Sequence, residues 1–282
     1  MYQKKMKEPK NIGHYEISDF PKERIPTLDF LSLGDDKHYV KALLEFDVTN
    51  ARKKIREHEK NTNKKISFTA WLLKCIGQAA SEFKEVHSMM MGKNKIVKFD
   101  DVDISITVEK DINGIKTPIP LVIRRTNRKT VLQINDEIRK SQSEELSEAA
   151  VLGNHSMKKE VKTYVSLPKF IRKFILKRKF RDPIKIKQIM GTIIVTSVGM
   201  FGKQYGWPIP TTFHPLAFGV GSIIKKPGII NDKIEIREYL AMTILFNHDV
   251  VDGAPAARFT SRLGELIESE FGLLNLESFI FF

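Results

Sequence analysis

A single cysteine, Cys75, stands in the 282-residue chain, so neither an intrachain disulfide nor a cysteine metal cluster can form. It lies in "AWLLKCIGQAA", where helical spacing places it among buried apolar neighbours, and this argues against a nucleophilic role. No apolar run reaches the ~18 residues of a membrane span, and the opening "MYQKKMKEPKN" lacks the apolar centre of a signal peptide. A cytoplasmic location is therefore expected. A glycine-rich phosphate loop and an internal repeat are also missing. Acidic residues are in short supply: 34 Asp+Glu against 47 Lys+Arg leave a net charge of +13. Such an excess favours anionic partners, among them nucleic acid, an acidic membrane surface or a phosphorylated cofactor.

What is present describes a soluble globular protein, with 41% hydrophobic and 29% charged residues. Residues 1–36 hold Pro9, Pro21 and Pro26 and little periodicity, and read as an extended arm before a domain at 37–282. In that domain "HYVKALLEFDVT" alternates as a strand, "NARKKIREHEKN" is a charged helix, and "SFTAWLLKCIGQAASEF" is a buried helix with Ser67 as its N-cap. Three strands, "KIVKF", "VDISITVE" and "TPIPLVIRR", precede an amphipathic helix that starts near Thr130. The strands "GTIIVTSVG" and "LAFGVGSII", a turn at "INDK" and a long strand ending at His248 complete an α/β pattern of mixed sheet with packed helices.

The basic excess concentrates in "LPKFIRKFILKRKFRDPIKIKQ", residues 167–188, with nine Lys/Arg and one Asp. Phe170, Phe174, Ile171 and Ile175 share one helical face of it. That face is expected to pack on its own domain, with membrane-surface binding as the alternative.

One corner carries candidate chemistry. In "FNHDVVDGAPAARF" the strand ends at His248, and Asp252-Gly253 turn into a helix. Two readings stay open: a reactive histidine held on a rigid scaffold, or a capping turn in which Asp252 is the N-cap and His248 pairs with it.

Three ordered stretches decide between them by resemblance. "NHDVVDGAPAARF" resembles the H-x-x-x-D-G signature of chloramphenicol acetyltransferase and of the catalytic cores of dihydrolipoamide acyltransferases, the second components of 2-oxoacid dehydrogenase complexes. "GTIIVTSVGMFG" resembles the strand before that signature, and "KISFTAWLLKCIGQAASEFKEV" with "DVDISITVE" is similar to the first half of those cores. The resemblance covers roughly residues 36–270. It departs in three respects: no lipoyl or partner-docking domain is seen, a basic helical insertion at about 150–190 replaces a short loop, and Asn247 stands where the acyltransferase cores usually have Asp.

The resemblance implies a chloramphenicol acetyltransferase-like fold and an acyltransferase moving an acyl group between a coenzyme A, lipoyl or carrier thioester and a thiol, hydroxyl or amine. That chemistry needs no metal. His248 would be the general base, since a neutral imidazole lies only about two pKa units below a thiol. Thr196 would be the oxyanion-binding hydroxyl, and Ser197, on the opposite sheet face, is expected among the coenzyme-binding residues with Tyr205 and Trp207. In the resembled family the residue at Asp252 makes a structural salt bridge, so Asp252 is expected to hold the turn, with Gly253 letting the backbone pass closely. Tyr205, Trp207 and Phe213 either wall a channel for the coenzyme or belong to core and subunit interface. The family's trimers, with sites between subunits, imply a homotrimer or larger assembly acting on small-molecule or carrier-bound substrates, without nucleic acid. The competing function is a non-catalytic trimeric scaffold that docks an acidic partner or membrane through residues 167–188. Of the other histidines, His38 matches a family position at a strand start, whereas His14, His58, His87 and His155 are expected to be solvated.

Overall fold

The computed structural model describes residues 13–112, 115–143, 162–198 and 205–273. Alternating and apolar runs become β1 (Tyr39–Asp47), β4 (Ile104–Ile112), β5 (Ile115–Ile123), β6 (Ile193–Ser197), β7 (Leu216–Ile230) and β8 (Lys233–Asn247). These form one sheet in the order β1-β8-β7-β6-β4-β5. Strand β6 pairs in parallel with both β4 and β7, and the remaining neighbours are antiparallel. Its central place explains its apolar reading, with Ile193 and Val195 buried. The long β7–β8 hairpin closes at Asn231-Asp232, whose φ values of 49° and 61° give the two left-handed positions of a tight hairpin turn. A small second sheet pairs β2 (Met89–Met91) with β3 (Lys95–Val97); β2 is too short and uniform in residue type to show periodicity.

Helices accompany the strands: α1 (Ile25–Leu31), α2 (Thr49–Thr62), α3 (Phe68–Glu82), α4 (Val131–Ser143), α5 (Lys169–Lys179), α6 (Pro183–Met190) and α7 (Gly253–Glu268), with residues 162–166 also helical ahead of α5. Helix α3 is the central one. It packs against α4 and α7 and buries Trp71, Leu72, Leu73, Cys75 and Ile76 in a core shared with Phe218 and Phe259. Burial pushes the Cys75 thiol upward, so it stays protonated. Helix α4 starts with reciprocal bonds: Thr130 Oγ1 accepts from Gln133 N (3.2 Å) and Gln133 Oε1 accepts from Thr130 N (2.9 Å). Ser67 occupies the N-cap position of α3 but makes no side-chain cap bond. Its own N–H instead donates to Asn135 Oδ1 (2.9 Å), tying α3 to α4.

Two expectations change. The arm is extended and exposed over residues 13–20, but it then winds into α1, with Pro26 in the first turn where a missing N–H costs nothing. Residues 1–12 lie outside the described residues. The basic segment forms α5 and α6, yet Phe170 and Phe174 are 74% and 66% exposed rather than packed on the domain. Helix α5 is instead held by polar contacts: Arg172 Nε donates to buried Asp29 (2.6 Å), and Lys177 Nζ to Asp36 (3.0 Å). Helix α6 is capped by Asp182, which accepts from Ile184 N (2.9 Å), and is tied to the chain just before β4 through Lys187 Nζ to Asp103 (2.6 Å). Arg124 extends this tie by donating to the Lys187 and Gln188 carbonyls.

His87 is not solvated, contrary to expectation. It is fully buried, with Nδ1 3.0 Å from Thr192 Oγ1. Burial, aided by the Lys187 charge, lowers its pKa to about 4. His214, also buried, sits between Thr212 Oγ1 (3.1 Å) and the Met190 carbonyl (3.3 Å) and is likewise lowered to about 4 by burial. Both are neutral in the fold while the unfolded chain titrates near 6.5, so the unfolded state binds the extra protons as pH falls between those values. Their contribution is complete above about pH 6.5 and declines toward pH 4, by up to roughly 3 kcal/mol each. Urea unfolding from pH 7 to pH 4 should show this decline, and His87→Gln should flatten it. A pH-independent midpoint over that range would contradict the buried neutral pair.

Candidate active site

Strand β8 delivers His248 to a corner built from backbone bonds. Asn247 N donates to Pro215 O (2.9 Å), His248 N to His38 O (2.7 Å) and Val251 N to Asn247 O (3.2 Å). The chain beside β1 and the approach to β7 thus grip the end of β8, and His38 Nδ1 lies 2.8 Å from Asp249 Oδ1 across the same gap. The His248 side chain is 46% exposed. Its Nδ1 is 3.8 Å from Asp252 Oδ1, beyond hydrogen-bond reach.

Asp252 does occupy the N-cap position of α7, but its side chain makes no cap bond and is 88% exposed. The expected structural salt bridge is not formed among the described residues of one chain, where the acid's nearest cationic candidate is His248 itself. Gly253 is equally open: a Cβ there would meet nothing within 4 Å. Its place at the first turn of α7 explains this, since ordinary helical geometry needs no glycine.

Thr196 lies elsewhere. It pairs with Gly219, which pairs with Thr243 of β8. His248 is therefore two strands across and five residues along, roughly 19 Å by strand geometry. The structure does not bring the two together within one chain. Thr243, in line with Thr196, is buried with no hydrogen-bond partner for Oγ1 among the described residues; ordinary strand alternation concealed it in the sequence.

Ser197 faces the other way. With Val195 and Val220 it lines a cavity of about 640 Å³ between the sheet and helices α2, α3 and α4, whose wall includes Arg52, Arg56 and Arg139. Alternation along β6 puts Thr196 and Ser197 on opposite faces, so they cannot line one channel. The loop at 205–210 crosses β7 on the Thr196 face. A Cβ on Gly219 would lie 2.1 Å from Pro208 O, and one on Gly221 2.3 Å from Gly206 O. The two glycines are what let the loop rest there. Trp207 Nε1 donates to Leu44 O (2.8 Å), Tyr205 donates to Glu45, and the two rings meet at 5.2 Å. Both aromatics thus fasten the loop across the sheet to β1. Phe213 belongs to a minor core with Phe30 and Phe180.

The basic insertion reaches this region, which its sequence did not reveal. A pocket of about 190 Å³ beside Asn247 is walled by Lys37 and Ser88 together with Lys177, Phe180 and Arg181 of the insertion. Burial holds the Lys37 ammonium below its usual pKa, against the pull of Asp249.

With this geometry, the model for 2-oxoacid dehydrogenases acyltransferase (catalytic domain) matches residues 39–161 and 177–275. The chain belongs to that family. The lipoamide acyltransferase component of the branched-chain alpha-keto acid dehydrogenase complex of Bacillus subtilis is 26% identical over 80% of this chain and 46% of its own length. The chain thus spans about half the length of the curated relatives it matches. Among solved structures, the cubic core of the pyruvate dehydrogenase multienzyme complex aligns with a TM-score of 0.66 and 19% identity, covering 95% of this chain and 98% of that one. Dihydrolipoamide acetyltransferase of Azotobacter vinelandii, studied for the role of a serine, a histidine and an asparagine in catalysis, aligns at 0.63 with 20% identity, covering 92% and 94%. Chloramphenicol acetyltransferase shares the fold at 0.50 and 13%, covering 88% and 98%. The expected fold is therefore the observed one, and the neighbours include the cores of multienzyme assemblies. Residues 162–176, most of α5 among them, fall between the two matched stretches.

The loop's seat on β7 is testable. Gly219→Val forces a side chain against the Pro208 carbonyl, and overpacking of this kind costs about 1–3 kcal/mol. The thermal midpoint should fall, and the emission of half-buried Trp207 should shift to the red. Wild-type stability and emission would show that the loop does not rest on Gly219.

Proposed function

We propose that this chain is an acyltransferase that moves an acyl group between a thioester of coenzyme A, or of a lipoyl or protein carrier, and an acceptor thiol, hydroxyl or amine. The observation that carries the proposal is His248 itself: a half-exposed ring at a strand end, fixed by backbone bonds and making no hydrogen bond through its own nitrogens among the described residues. Spacing supports it. In the Azotobacter vinelandii enzyme the serine precedes the histidine by 52 residues and the asparagine follows it by four. Thr196 and Asp252 hold the same offsets from His248.

In this reading Asp252 stands on the Nδ1 side of His248, which leaves Nε2 to take the proton from the acceptor. His248 then returns that proton to the departing thiolate. Thr196 donates its hydroxyl to the carbonyl oxygen as negative charge develops there. The net charge of +13 suits the phosphates of coenzyme A. Among the described residues no cluster of side chains could hold a metal ion, and the steps assigned here ask only for a base and a hydrogen-bond donor.

A base and an oxyanion donor must both lie about 3 Å from the reacting atoms, whereas Thr196 and His248 of one chain are far apart. We infer that the site is completed between subunits of a trimer. The β7–β8 hairpin supports self-association, because Ile229, Ile234 and Ile236 project from it 76%, 80% and 77% exposed.

His248→Ala should lower turnover by roughly 10²–10⁴-fold, and Thr196→Val by about 10²–10³-fold with stability unchanged. Thiol release from a panel of acyl-CoAs, with dihydrolipoamide, alcohols and amines as acceptors, provides the assay. Full activity in His248→Ala would remove His248 as the base, and no thiol release by the wild type with any acyl-CoA and acceptor would favour the non-catalytic scaffold. Co-refolding the two variants should restore activity that neither has alone, and no restoration would place both groups in one chain. Ile234→Glu with Ile236→Glu should reduce the oligomer in analytical ultracentrifugation.

A further inference from the structure

We propose that α5, α6 and the β2–β3 hairpin form a docking face for an anionic lipid bilayer. Phe174, Ile175, Ile184 and Met91 supply the large apolar side chains that line a shallow depression of about 1000 Å³. Phe170 lies one turn before Phe174 on the same face of α5. Lys95, Arg178, Lys179, Arg181 and Lys185 line the same depression. None of these five has an ion pair among the described residues. The single acid among the described lining residues, Asp182, is engaged in capping α6.

The exposure is built in. On its inner side α5 is pinned by Arg172 to Asp29, with Tyr164 OH also donating to Asp29 (3.1 Å), and Phe180 just beyond its end packs on Phe30 and Phe213. Turning the helix to bury Phe174 would strand the Asp29 carboxylate, which is 4% exposed. The phenylalanines are thus held outward on a face that also carries exposed cations, a combination that inserts apolar side chains below lipid headgroups while Lys and Arg meet their phosphates.

Charge decides among occupants. A second copy meeting this face about a two-fold axis would set the five cations against themselves. A polyanion without apolar depth would satisfy the cations but leave Phe170 and Phe174 in water. An anionic bilayer serves both. Most of α5 also falls in the stretch that the family model leaves unmatched, so acyl transfer as such does not call for it.

Co-sedimentation of the whole chain with phosphatidylglycerol–phosphatidylcholine vesicles, against phosphatidylcholine alone, tests this proposal independently of catalysis. Binding should require phosphatidylglycerol and weaken with salt, because the attraction fades over about 8 Å at physiological ionic strength. Each neutralised cation near the surface should weaken binding about fivefold. Arg178→Gln with Lys179→Gln and Lys185→Gln should therefore lose roughly a hundredfold. Phe170→Ala with Phe174→Ala should lose about tenfold or more while melting as wild type, since both rings are exposed. Equal binding to neutral vesicles, or no loss in either variant, would overturn the proposal. So would absence of vesicle binding with retention on a soluble polyanion such as heparin, or a lower oligomeric state in the phenylalanine variant, which would mark the face as a contact between copies.

Discussion

The register of β7 between β6 and β8 is the constraint from which the rest of the molecule follows. Gly219 stands between Thr196 on one side and Thr243 on the other, and once those pairs form, the side chains around them are assigned their faces, up to the break in register between Val220 and Ile223. Val195, Ser197 and Val220 turn toward the helices, and Thr196 turns away. The same register carries β8 on to Asn247, and there the Pro215 and His38 carbonyls take the N–H groups of Asn247 and His248. The position of His248 is thus set by ladder hydrogen bonds and not by contacts of its own side chain. A one-residue slip would exchange Thr196 for Ser197 and move the candidate donor into the helix-side cavity.

Glycine placement extends this control to the loop above. Gly219 and Gly221 have no side chains on the outer sheet face, and the chain at 206–210 occupies the space that Cβ atoms would fill. Trp207 and Tyr205 then reach across to β1 and hold the loop down. Aromatic residues that suggested a channel wall therefore also have a packing role, tying together two parts of the sheet that lack direct pairing.

The insertion is joined to this frame by charge. Asp103 gathers Lys187, Arg124 and the Arg125 N–H, and these bonds hold its carboxyl below the usual range although burial opposes them. Asp29 does the same for Arg172 and Tyr164 in geometry, accepting from both. Two buried carboxylates therefore orient α5 and α6, put Lys177, Phe180 and Arg181 beside the His248 corner, and leave Phe170 and Phe174 on the outside. The basic excess is partly structural, used up by these acids, and partly free at the surface.

The sequence by itself determined the elements and the corner. Period-two alternation marked β1, β4 and β5, helical spacing marked α2, α3, α4 and α7, and "NHDVVDG" marked a strand end followed by a helix start, because these signals are local and repeat within a few residues. It also placed Thr196 and Ser197 on opposite faces, which alternation alone dictates. Other properties depend on partners distant in the chain, and only the tertiary structure decided them. His87 reads as polar until Thr192, 105 residues later, encloses it. Phe170 and Phe174 read as core until Arg172 finds Asp29, 143 residues earlier, and turns them outward. The separation of Thr196 from His248 within one chain likewise belongs to the tertiary structure, because it is set by the order of β6, β7 and β8 in the sheet, and strand order arises from long-range pairing that no local pattern encodes.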